Sequence, residues 1–122
     1  MHDYFAVIPA RAGSKGIPDK NMQLIGGKPM IEFTLEAALA STELGSTIVS
    51  TDSSDVTELA IEKGVNIPFK RPHNLSTDDA RTSDVIMHAL DWYNSHHNQY
   101  PINIVLLQPT SPFRTAYDID QA

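Results

Sequence analysis

Three short runs rich in apolar and β-branched residues constrain this chain more than any other feature: YFAVIP (residues 4–9), STIVST (residues 46–51) and INIVLL (residues 102–107). Each is too short for an ordinary helix, and each reads as a strand. INIVLL is apolar almost without a break, as expected for a central parallel strand covered on both faces. Segments of helical period lie between the runs. Pro29 can occupy a first helical turn, where its missing N–H is tolerated, and Ile31, Leu35, Ala38 and Leu39 then share one face through about Ala40. Ser53, Ser54 or Asp55 can cap a second helix, with Val56, Leu59, Ala60 and the stem of Lys63 inward and Gly64 as its terminator. Val85, Ile86, Ala89, Leu90 and Tyr93 mark the inner face of a third, over about residues 83–95. VNIPF (residues 65–69) reads as a shorter strand, placed at a sheet edge by Pro68. Repeated β–α–β units with right-handed crossovers predict a doubly wound, mostly parallel α/β sheet in one domain.

In such sheets ligands sit outside the carboxyl ends of the strands. The segments just beyond those ends are therefore where chemistry is sought: PARAGSKGIPDKN after the first strand, the end of STDSSD after the second, and QPTSPFR after INIVLL. The first of these carries the clearest signal. Residues 1–30 hold four basic side chains (Arg11, Lys15, Lys20, Lys28) against Asp3 and Asp19, in a chain whose net charge is −6. An acidic body argues against a broad nucleic-acid surface, while a local cationic loop suits a small anion. Gly13 and Gly16 allow backbone N–H groups to approach a ligand closely, Arg11 can fork onto phosphate oxygens, and Lys15 and Lys20 act as point charges. A polyphosphate fits this set; a solvated basic turn between strand and helix is the alternative. The spacing is neither GxxxxGK[ST], since Ile17 follows Gly16, nor GxGxxG, since AGSKG supplies only GxxG.

Other polar residues carry weaker signals. Asp52 reads as a cap or loop residue before a helix, with a water-mediated metal contact as the alternative. Asp78 and Asp79 read as solvated acids, His96 and His97 as an exposed turn after the third helix with metal binding as the alternative, and His88 as structural. Trp92 and Tyr93 read as helix packing or a partly exposed surface. No apolar run approaches the roughly 20 residues of a membrane span. MHDYF lacks the pattern of a secretory signal, and there is no cysteine. A soluble, cytoplasmic domain is expected. AYDIDQA at the end resembles the opening of a further helix, which suggests the N-terminal part of a longer protein.

IPARAGSKGIPDKN, STDSSD, the RP…LSTDDARTSDVIMHAL segment and LLQPTSPFR, in this order over residues 7–114, resemble the acylneuraminate cytidylyltransferases, the CMP-sialic acid synthetase family. The resemblance implies an α/β nucleotidyltransferase fold of Rossmann-like type and a magnesium-dependent reaction. In that reaction CMP passes from CTP to a nine-carbon acidic sugar and pyrophosphate is released. It implies catalytic roles for Arg11, Lys15 and Lys20, and nucleotide contacts from these and from Ala10, Gly13, Ser14 and Asn21. Arg71 corresponds to an arginine beside cytosine, Ala80 and Thr82 to the base pocket, and Gln108, Thr110 and Ser111 to the sugar site. Ala12 stands where many relatives have glycine. The family's magnesium carboxylates and much of its dimerisation arm belong to a C-terminal region beyond these residues. The expectation is thus a nucleotide-binding part over residues 1–122, with Mg2+ held mainly by CTP and that remainder, and a homodimer in the full-length form. A non-catalytic CTP-binding fragment, or a nucleotidyltransferase for another sugar acid, are the alternatives.

Overall fold

The computed structural model describes residues 4–12, 20–41, 44–77 and 80–108. Its centre is β1 (Tyr4–Ala10), which pairs in parallel with β4 (Leu44–Thr51) on one side and β5 (Asn103–Leu106) on the other. The register with β4 runs to Ala10↔Thr51, and that with β5 to Val7↔Leu106. Successive β1 side chains leave the sheet on opposite faces. Ala6, Ile8 and Ala10 join Val49 beneath α1 (Met30–Ala40) and α2 (Ser54–Lys63), while Phe5 and Val7 join Ile48 beneath α3 (Thr82–His97). Helices on both faces of a parallel sheet make the doubly wound α/β arrangement predicted from the strand and helix order.

The local chemistry explains most element limits. Ser53 caps α2, its Oγ accepting the Val56 N–H at 3.2 Å, and Gly64 closes it at φ 83°, a backbone region that only glycine enters without strain. Helix α3 extends beyond its predicted end, so that His96 and His97 lie in its last turn, their rings tilted against Trp92 and Tyr93, before Asn98 ends it at φ 57°. A small antiparallel ribbon, β2 (Leu24–Ile25) with β3 (Lys28–Pro29), turns through Gly26 and Gly27, both at positive φ. Pro29 precedes the first helical residue instead of occupying it.

Three expectations are corrected. Leu39 is 50% exposed, because the buried arc of α1 is centred on Thr34 and Ala38 and Leu39 falls past its edge. VNIPF is not a continuous strand: Ile48↔Asn66 and Thr51↔Lys70 are isolated bridges beside β4, with Pro68, which has no N–H, between them. INIVLL is not the central strand among the described residues. It pairs with β1 alone, and Ile102 is 83% exposed; β1 takes the central place. The helix predicted in AYDIDQA lies outside the described residues.

Two polar features of α1 bear on stability. Lys63 of α2 lies 3.4 Å from both Glu32 and Glu36, and Lys28 lies 2.6 Å from Glu36, tying the two helices together. The Lys28 hydrogen bond is the main reason that the Glu36 carboxyl is held below its ordinary 4.5, with Lys63 adding to it against some desolvation. That contribution is present above the ordinary value and is lost as pH falls through the depressed one. Glu32, with Glu36, raises Lys63 above its ordinary 10.5, so its contribution fades only in strong alkali. Glu36→Gln is expected to lower Tm near neutral pH by a small amount that fades as pH falls below 4.5, read in a series of melts from neutral to acid. The Thr34 hydroxyl is fully buried with no hydrogen-bond partner among the described residues. Thr34→Val, which keeps the shape and removes the hydroxyl, is expected to add about 1 kcal/mol, a rise of roughly 3–5 °C in the thermal midpoint.

Candidate functional site

The β1–β4 ladder ends at Ala10 and Thr51, and beyond it side chains take over from backbone pairing. The Thr51 hydroxyl donates to the Ala10 carbonyl and accepts the Ser53 N–H at 2.9 Å. Asn21, in the short 3-10 turn of Lys20–Met22, donates through Nδ2 to the Arg11 carbonyl at 3.2 Å. Asp52 Oδ1 accepts the Ala12 N–H at 2.7 Å. Short polar residues at the carboxyl end of β4 thus hold the backbone at the carboxyl end of β1.

Arg71 is built into the same corner. Its N–H donates to the Thr51 carbonyl at 2.8 Å, continuing the contact made at Lys70. Its side chain is only 4% exposed. Nε donates to Ser50 Oγ at 3.1 Å, Nη2 to the Ser50 carbonyl at 2.6 Å and Nη1 to the Leu75 carbonyl at 3.2 Å. A guanidinium without a fully paired carboxylate survives burial only with such acceptors. Burial pushes its pKa down from the ordinary value; the negative charge of Asp52 opposes this and the positive charge of Arg11 adds to it. Arg11, Asp52 and Arg71 therefore share one electrostatic environment. Three of the guanidinium's five N–H donors are spent on β4 and on Leu75, after Pro72.

The structure brings together Ala10, Arg11, Asn21 and Arg71 from the residues singled out in the sequence. Lys20 opens the 3-10 turn that carries Asn21. Gln108 follows β5 on the carboxyl side of the same sheet and is exposed; Ala80 is half-buried, its N–H donating to the Thr77 carbonyl, and Thr82 opens α3. The Arg71 side-chain bonds go to Ser50 and Leu75 and to none of these three. Gly13, Ser14, Lys15, Thr110 and Ser111 lie outside the described residues, as do Asp78 and Asp79. A cavity of about 530 Å³ adjoins the corner on the outer side of β4, lined by Asp52, Ser53, Ser54, Thr57, Glu58, Ile67, Phe69 and Lys70. Sequence reasoning missed the roles of Ser50, Thr51 and Asp52. The available signal was their position, short polar side chains directly at the carboxyl end of a buried parallel strand.

The sequence pattern of a family described as cytidylyltransferase matches residues 5–122. The chain belongs to that family. This cytidylyltransferase chain is 44% identical over 119 residues to the CMP-N,N'-diacetyllegionaminic acid synthase of Legionella pneumophila, covering 96% of this chain and 50% of that protein. It is 42% identical over 118 residues to an N-acylneuraminate cytidylyltransferase of Streptococcus agalactiae, with 95% and 27% covered. Among solved structures it resembles a CMP:2-keto-3-deoxy-manno-octonic acid synthetase complexed with CTP, at a TM-score of 0.75 and 26% identity, over 97% of this chain and 44% of the other. The fold is the α/β nucleotidyltransferase type. The chain spans at most about half the length of these curated relatives.

Loss of the Arg71 ties has a predictable consequence for the cytidylyltransferase fold. Arg71→Ala leaves the Ser50 and Leu75 carbonyls without their donor and is expected to destabilise by about 2–4 kcal/mol in urea unfolding. Ser50→Ala removes one acceptor and is expected to cost about 1 kcal/mol. An unchanged urea midpoint for Arg71→Ala would show that these ties do not form in solution.

Proposed function

We propose that this chain is the nucleotide-binding part of a cytidylyltransferase that moves CMP from CTP to a nine-carbon acidic sugar of the acylneuraminate or legionaminate type, releasing pyrophosphate. The observation that carries the reading is the meeting of Arg11, Asn21 and Arg71 at the shared carboxyl end of β1 and β4, where an α/β sheet receives its ligand. The names of relatives above 40% identity favour these sugars over the octonic acid of the more distant structural neighbour.

The reaction is in-line attack of the sugar's anomeric hydroxyl oxygen on the α-phosphorus of CTP. The new P–O bond forms as the bond to pyrophosphate breaks, and the hydroxyl proton leaves to a base. Catalysis of this kind is chiefly positioning and offsetting of charge. Arg11, Lys15 and Lys20 hold the triphosphate and offset the charge that grows on the departing pyrophosphate, with the backbone of Ala10, Gly13 and Ser14 around it. Asn21 reaches the ribose or base. Arg71 gives its remaining donors to the cytosine edge, with Ala80 and Thr82 lining the base, and Gln108, Thr110 and Ser111 meet the sugar acid.

Magnesium enters this reading bound to the phosphates of CTP. The described residues do not fit a protein cage for it: no three His, Cys, Asp or Glu side chains come together among them, and Asp52 has one oxygen on the Ala12 N–H. The family resemblance extends the proposal to a homodimer in the full-length protein and to a cytoplasmic setting; no helix among the described residues is long and apolar enough to cross a membrane.

Isothermal titration of the folded chain with CTP, UTP, ATP and GTP in magnesium tests the proposal. CTP is expected to bind at least about tenfold more tightly than the others, since a site that hydrogen-bonds one base leaves polar groups unpaired with another. Lys15→Ala is expected to weaken all nucleotide binding by about tenfold through loss of a phosphate contact. Equal affinity for the four would remove the cytidine assignment, and no binding of any would remove the nucleotide site from this chain.

A further inference from the structure

Three consecutive residues leave β1 under restraint from side chains of other segments: the Ala10 carbonyl by Thr51, the Arg11 carbonyl by Asn21 and the Ala12 N–H by Asp52. Of these restraints the last is charge-assisted, a backbone donor on a carboxylate, and such bonds are shorter and stronger than neutral ones. The obvious structural role for Asp52, capping α2, is taken by Ser53, whose Oγ accepts the Val56 N–H. The Asp52 carboxylate instead spans 40 positions in sequence to the residue after Arg11. It also stands in the field of Arg71, whose guanidinium feels both its attraction and the repulsion of Arg11. Two cations gathered at one site repel each other, and the Asp52 carboxylate that attracts Arg71 offsets part of that repulsion.

We infer that Asp52 is a positioning residue for phosphate binding: it fixes the backbone from which Arg11 projects. It acts through Arg11 and does not itself contact the nucleotide. Adding its charge to the site lowers the net positive charge that meets the triphosphate, so the benefit lies in geometry: Arg11 is already in place when the ligand arrives, and less ordering is left to do on binding. This inference rests on the CTP reading proposed for the site.

Asp52→Ala and Asp52→Asn separate the possibilities, with titrations of CTP and of inorganic tripolyphosphate and with amide hydrogen exchange at Ala12. The alanine variant is expected to bind both ligands roughly tenfold more weakly, the effect of losing one charge-assisted bond from a preorganised site. Its Ala12 amide is expected to lose protection. The asparagine variant keeps an acceptor oxygen and is expected to recover most of both affinities and the Ala12 protection. Such rescue is not expected from a change in net charge alone. Wild-type affinity in Asp52→Ala, or equal weakness in the two variants, would overturn the inference while leaving the CTP site standing. Failure of the unaltered chain to bind either ligand would remove the CTP reading, and this inference with it. Asp52→Asn, close in size and hydrogen bonding, keeps the test readable should the alanine variant not fold.

Discussion

Because β1 is hydrogen-bonded to a strand on each side and buried on both faces, its carboxyl end cannot move without the sheet moving. That restraint passes outward in a definite order. The ladder with β4 sets Ala10 opposite Thr51; Thr51 then reaches the Ala10 carbonyl, Asp52 the Ala12 N–H, and Arg71 folds back onto Ser50. Each contact needs the one before it to be in register. A slip of one residue between β1 and β4 would turn Ala6 and Ile8 toward the wrong layer and at the same stroke scatter the polar corner. Packing and site geometry are therefore specified together, by the same pairing.

How far the fold is legible in the chain differs from residue to residue. The layered architecture is legible because continuous apolar strands and helices of period 3.6 admit few arrangements, and because caps such as Ser53 and Gly64 act through nearest neighbours. Leu39 departs from its expected place because four apolar residues define a stripe only loosely, and the sheet below α1 selects an arc centred on Thr34 and Ala38. The apolarity of INIVLL points to a central strand, but among the described residues β1 has more neighbours. The ribbon through Gly26 and Gly27 carries a legible signal, two glycines between short extended pairs, of the kind that favours a two-residue hairpin turn.

The polar corner is legible only in part, for a physical reason. Arg11 and Asn21 stand in a segment whose composition alone points to an anion. Arg71, Ser50 and Asp52 acquire their roles from contacts across 21 and 40 positions, and no local pattern reports such a partner. Arg71 also shows how a residue assigned to a ligand can be structural at the same time. With three bonds to Ser50 and Leu75 it ties the segment after Pro72 to the sheet, and any donor it presents to a base is aimed by those bonds.

Pro68 has an effect beyond shortening the segment next to β4. A regular outer strand would present alternating free N–H and C=O groups along its length, a template on which another extended chain could pair. Here the pairing to β4 is made at Asn66 and again at Lys70, with a residue that has no N–H between them and an exposed lysine at the second contact. The border of the sheet on this side is therefore discontinuous and charged. A neighbouring molecule finds no run of backbone groups to extend, and crowding of many copies does not easily turn this edge into the start of a fibre.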